Sequence, residues 1–160
     1  MTPIDRMRKA LDALTTSGRN DWQTPDWLWD MVRRVIEAPW DPAPSGGTTG
    51  LNRPWRDNVY LNSPFGVSLP AWVAKAIKEG LLGNYMEIIQ VTPGRIETKW
   101  FHRLLGFHTE LCFPTRRVHY VHPDTGLETK QASFPTVIWY RGTSRKFREV
   151  FGEIGKVIQL

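Results

Sequence analysis

The chain has one cysteine, Cys112, among 160 residues. That excludes an internal disulfide framework and any metal site built from several thiolates. No stretch approaches the ~20 apolar residues that span a bilayer, and no signal-peptide pattern opens the sequence. A cytoplasmic protein with no membrane partner is expected. Internal repeats and low-complexity tracts are missing, which argues against solenoids and disordered arrays. The four histidines, His102, His108, His119 and His122, lack metal-ligand spacing with acidic partners, so no metal is expected. Acidic residues are the minority, 16 against 21 Lys and Arg, for a formal net charge of +5. That moderate excess favours a polyanionic partner without requiring one. The length fits a single domain over residues 1–160, large enough for a real core.

What is present reads as alternating helices and strands. Ile4, Met7, Ala10, Leu11 and Leu14 follow the spacing of one helical stripe, so residues 1–18 are expected to carry an N-terminal helix. Pro25 suits the first turn of a second helix over 26–37, with Thr24 as its N-cap. Residues 40–54 are rich in proline and glycine and read as a long loop, which a compact domain rarely keeps unless it serves a ligand. Buried strands are expected at 59–62 and 86–91, with a helix from Pro70 to about residue 82 between them. A helix over 97–105 stops at Gly106. Further strands follow at 109–113 and 136–140, with a hairpin between them around Asp124-Thr125-Gly126. In the stretch 143–160, Phe147, Val150, Phe151 and Ile154 mark the buried face of a C-terminal helix. This alternation predicts an α/β fold with a mostly parallel sheet covered on both faces.

The strand at 59–62 ends in Asn62-Ser63-Pro64-Phe65. An asparagine oxygen can accept one N–H of a planar amino group, and a turn carbonyl can accept the other. Pro64 stiffens the backbone that aims the carbonyl. Phe65 offers a face on which an extruded base can stack. With both protons held, the nitrogen lone pair is free to attack a methyl sulfonium. The same tetrapeptide is also an ordinary turn. In open α/β sheets ligands bind beyond the carboxyl ends of the strands, which singles out residues 41–43, 62–65 and 92–95.

The surrounding motifs are Asp21-Trp22-Gln23-Thr24-Pro25, Asp41-Pro42-Ala43, Gly50-Leu51, Trp55, Thr92-Pro93-Gly94-Arg95, Trp100-Phe101 and Phe134-Pro135. In this order and spacing the chain resembles the phage-type, Dam-like DNA N6-adenine methyltransferases, over about residues 21–142. That family runs Asp-Trp-x-Thr-Pro, Asp-Pro, Gly-Leu, Trp, Asn-Pro-Pro-Tyr, Pro-x-Arg, Trp-Phe and Phe-Pro. Two positions depart from it: Ser63 stands for the first proline and Phe65 for the tyrosine. The resemblance implies a compact Rossmann-like class I methyltransferase fold, truncated relative to the seven-stranded form. It also implies S-adenosylmethionine as cofactor and DNA as substrate, either duplex with a flipped adenine or single-stranded, methylated with relaxed sequence specificity.

By the same resemblance Asn62, Ser63, Pro64 and Phe65 are catalytic. Asp41, Pro42 and Ala43 stand in for the glycine-rich cofactor turn that this chain lacks, with the Asp41 carboxylate near the methionine ammonium or a ribose hydroxyl. Asp21, Trp22, Thr24 and Pro25 close the pocket. The alternative for Asp41 is a turn cap, and for Trp22 a packed helix start. Arg95, Lys99, Arg116 and Arg117 are read as a basic rim for phosphates. Two other functions stay open: cytosine-N4 methylation, which uses the same amino-nitrogen chemistry, and a catalytically silent DNA-binding or antirestriction module.

Overall fold

The run Val59-Tyr60-Leu61 has no solvent exposure and forms the middle of β1 (Asn58–Asn62). A strand buried on both faces needs cover on both, and the rest of the chain supplies it. The computed structural model describes residues 1–6, 22–44, 49–128 and 134–160. In chain order the remaining elements are α1 (Asp26–Val35), placed before β1, then α2 (Leu69–Leu81), β2 (Glu87–Pro93), α3 (Lys99–Leu105), β3 (Glu110–Pro114), β4 (Thr136–Arg141), α4 (Lys146–Phe151) and β5 (Gly155–Gln159). The sequence-expected N-terminal helix falls mostly on residues outside the described set, which holds only a helical turn over 3–6.

The five strands form one sheet in the order β1-β2-β4-β3-β5. β1 and β2 are parallel and are joined through α2, the crossover a parallel pair requires. β4 pairs antiparallel with both β2 and β3, and β5 pairs antiparallel with β3. The expected mostly parallel sheet is therefore corrected to a mixed one. A continuous apolar run such as 136–140 reports burial on two faces but not direction. Among the described residues no helix bridges β3 to β4, so nothing there carries the chain back to the start of a parallel strand. On the outer side of β1, Trp40 adds a single parallel bridge to Val59, with Trp40 N–H donating to Asn58 C=O at 2.8 Å and Tyr60 N–H to Trp40 C=O at 3.0 Å.

Side-chain alternation divides the core into layers. Tyr60, Ile89, Val91, Ile138 and Tyr140 face Leu28, Met31, Val32 and Val35 of α1 and Phe147, Val150 and Phe151 of α4. On the opposite face Val59, Leu61 and Ile88 meet Trp72 and Ala76 of α2, while Val137 and Trp139 meet Trp100, Phe101 and Leu104 of α3. Trp72 and Trp139 are fully buried; truncating either to alanine should cost about 3–5 kcal/mol.

The loop before β1 is held by Glu79, a buried carboxylate on α2. It accepts the Trp55 backbone N–H at 3.0 Å and pairs with Lys75 Nζ at 2.6 Å. The Trp55 indole N–H donates to Gly50 C=O at 2.8 Å, so this tryptophan packs the loop against the α2 layer.

Three local expectations change. The 143–160 helix is a short helix followed by a strand. α4 does bury Phe147, Val150 and Phe151, but it ends at Gly152, and residues 155–159 pair with β3. At Gly155 a Cβ would come within 2.1 Å of Phe113 C=O, so only glycine permits that approach. Thr24 does not cap α1, whose N-cap is Pro25 with no side-chain bond. Of the expected hairpin the described residues show one bridge, Val121 to Glu128, around a turn with Gly126 at φ 68°, and residues 129–133 of its second arm lie outside the described residues.

Candidate active site

β1 and β2 deliver their carboxyl ends side by side, since Asn62 is the register partner of Val91. Trp40, parallel to β1, brings Asp41-Pro42-Ala43 out at the same edge. The Asn62 side chain donates from Nδ2 to the Trp22 carbonyl at 3.0 Å. A carbonyl can only accept, so this contact fixes which way the amide faces. Oδ1 is left as the acceptor, with no partner among the described residues. This bond joins the 22–25 segment to the 62–65 turn, 40 residues apart in sequence. Gln23 pairs with Val121 in both directions at 2.8 and 2.9 Å, and the Trp22 ring meets His122 edge-on at 5.3 Å.

Ser63 and Pro64 are buried, and the Ser63 hydroxyl has no hydrogen-bond partner among the described residues. Phe65 is partly buried. Its ring stands edge-on to Tyr120 at 5.6 Å and to Phe134 at 5.2 Å. The 92–95 turn joins this group through Gly94 N–H, which donates to Pro135 C=O at 2.8 Å. Thr92 is turned away from it, accepting the buried Trp139 indole N–H at 2.9 Å.

Asp41 behaves as the turn-cap alternative describes: its Oδ1 accepts the Ala43 N–H at 2.8 Å. That single contact does not balance its surroundings. Burial raises its carboxyl to about 7, the Ala43 N–H pulling the other way. Among the described residues no cation pairs with it. Pro42 and Ala43 are buried. Thr24 Oγ1 shares a 2.8 Å hydrogen bond with the Tyr60 hydroxyl, whose pKa burial drives well above the ordinary phenol range. Pro25 is buried, and its carbonyl accepts the first N–H bonds of α1. Asp21 lies outside the described residues.

No family model matches the chain, and no curated protein or solved structure is detectably similar to it.

Lys99 and the Arg116-Arg117 pair line different surface recesses. Arg95 is exposed and pairs with Glu97 at 3.4 Å. Lys99 opens α3 and lines a surface recess of ≈ 370 Å³ with Glu97, Thr98, His102 and Arg103. Arg116 and Arg117 border a smaller recess of ≈ 160 Å³ with Pro135 and Thr136, and the Arg116 guanidinium lies 3.9 Å from the Trp27 ring centroid. Neither recess includes residues 41–43 or 62–65.

Sequence reasoning missed Tyr60, Tyr120 and Thr136 as members of the strand-end cluster. Tyr60 was hidden inside an apolar strand pattern, and Tyr120 inside a presumed hairpin. The signal for Thr136 was present, since it follows Phe134-Pro135 directly.

Proposed function

We propose that the protein transfers a methyl group from S-adenosylmethionine to the N6 amino group of adenine in DNA. The observation that carries this reading is the Asn62 amide, anchored through Nδ2 to the Trp22 carbonyl so that Oδ1 is offered at the strand end. A preorganised acceptor beside a stiffened turn and an aromatic face suits an exocyclic amine. Asn62 Oδ1 accepts a hydrogen bond from one amino N–H and a carbonyl of the 62–65 turn accepts one from the other. The nitrogen lone pair is then released from conjugation with the ring. Positioning and electrostatics supply the rate, and the surplus proton leaves by way of Asn62 or water. Phe65 stacks on the base, which must first leave the duplex or arrive single-stranded.

When bound, S-adenosylmethionine supplies a methyl group on a positively charged sulfur. The residues present fit it: Asp41 is a largely desolvated carboxylate that has no cation among the described residues, the partner a methionine ammonium provides. Trp22, Thr24 and Pro25 belong to the segment that bonds to Asn62. The sheet supports this reading only at the level of an α/β fold, with β1, β2 and β3 running the same way and β4 and β5 reversed. DNA as the partner is supported by the charge balance and by Arg95, Lys99, Arg116 and Arg117.

The test is incubation with S-adenosylmethionine and adenine-containing DNA, followed by mass spectrometry of the nucleosides. N6-methyladenine is the expected product. N4-methylcytosine alone would replace the base assignment while keeping the clamp. No methylated nucleoside, with cofactor binding intact, would favour the silent module.

A further inference from the structure

We propose that the Tyr120 and Ser63 hydroxyls read the ring edge of the target base, each donating to a ring nitrogen beside the amine, and that together they select adenine over cytosine. The inference rests on the amine-clamp reading of residues 62–65 and names the substrate edge of that same site.

Both hydroxyls are buried without a partner at hydrogen-bond geometry among the described residues, on residues 2% (Ser63) and 8% (Tyr120) exposed. Thr136, 5% exposed, lies close enough to the Tyr120 hydroxyl to pull its pKa down against burial, although neither oxygen has a partner at full hydrogen-bond geometry among the described residues. One orphan sits in the turn that carries Phe65, and the other belongs to the ring packed edge-on against Phe65. A buried hydroxyl without a partner is costly, and native structures leave few of them. The Tyr120 ring explains its place in the apolar core; its hydroxyl contributes nothing to that packing. Burial also drives the phenol far above the neutral range, so it remains an O–H donor.

Adenine presents an acceptor nitrogen on each side of its amino-bearing carbon, N1 and N7. Cytosine presents one, N3, and a C–H on the other side. Two O–H donors are both satisfied by adenine, whereas cytosine leaves one buried and unpaired. A site built on buried polar groups rejects the analogue that fails to pair them. Ser63, the departure from the family's proline, would thus supply a donor that proline lacks.

The test uses single-stranded oligonucleotides with one target position carrying adenine, 7-deazaadenine, 1-deazaadenine or an abasic site. Their binding to wild type, Tyr120→Phe and Ser63→Ala is read by fluorescence anisotropy, with the abasic strand as the backbone reference. Each variant should lose about tenfold in base-dependent affinity for adenine. In each variant one deaza base should cost nothing further while the other still does. Melting temperature should hold or rise, because an orphan is removed. Variants that bind adenine as wild type does, or that suffer both deaza losses in full, would overturn the assignment while leaving the clamp intact. A wild type that binds adenine and abasic strands equally would overturn the clamp, and this inference with it.

Discussion

At Asp41 burial works against charge. Its carboxyl is raised to about 7 in the folded protein by desolvation, against an ordinary value of about 3.9 in an unfolded chain. Between those values the native state holds more protons than the unfolded state, so stability falls as pH rises. The stabilisation is complete below about pH 4 and lost as pH rises through about 7. Asp41→Asn keeps an oxygen for the Ala43 N–H and removes the titration. It should raise stability by ~1–3 kcal/mol at pH 8 and flatten the pH profile, as read by thermal melts at pH 5, 6.5 and 8. Identical pH profiles for the two proteins would show that Asp41 does not titrate in this window. The proposed cofactor role adds a second consequence. Binding a cation needs the anion, so S-adenosylmethionine affinity measured by calorimetry should weaken as pH falls below about 7, and Asp41→Asn should bind weakly at every pH. A residue held at a cost to stability is what a ligand site looks like before its ligand arrives.

Elements built from local signals could be read from the sequence. α1 follows from Pro25 and the Leu28, Met31, Val32, Val35 stripe; β1 and β2 follow from apolar runs bounded by turn residues. α3 stops at Gly106, as its spacing implied. What could not be read depends on distant partners. β5 looked like a continuation of α4 because Phe147, Val150, Phe151 and Ile154 keep helical spacing. Its strand form comes from pairing with β3, which no local pattern encodes. Thr24 has the chemistry of an N-cap, yet Tyr60, 36 positions away, takes its hydroxyl. The direction of β4 was likewise invisible, since a run buried on both faces reads the same either way. In the site, the Asn62 and Asp41 positions were legible as motifs. The Trp22 carbonyl that orients Asn62 was not, because a backbone acceptor leaves no mark in the sequence.

At the scale of the whole molecule the formal net charge is +5. Arg95 is paired with Glu97 and Arg116 stacks on Trp27, so the proposed phosphate contacts would draw on groups already partly engaged. DNA association should still be electrostatic, with log K falling against log[salt] by about 0.9 per phosphate neutralised. Arg116→Ala combined with Arg117→Ala should flatten that slope; a slope unchanged by the pair would place DNA elsewhere on the surface. Among the described residues no helix is long and apolar enough to cross a membrane. The account as a whole stands on the amide that Trp22 holds at the end of β1. Its most direct test is the single-turnover rate of N6-methyladenine formation, measured by nucleoside mass spectrometry for wild type and Asn62→Ala at saturating S-adenosylmethionine. The rate should fall ~100-fold or more, with cofactor affinity nearly unchanged, as expected when a preorganised transition-state contact is deleted. An Asn62→Ala protein that methylates adenine at the wild-type rate would contradict it.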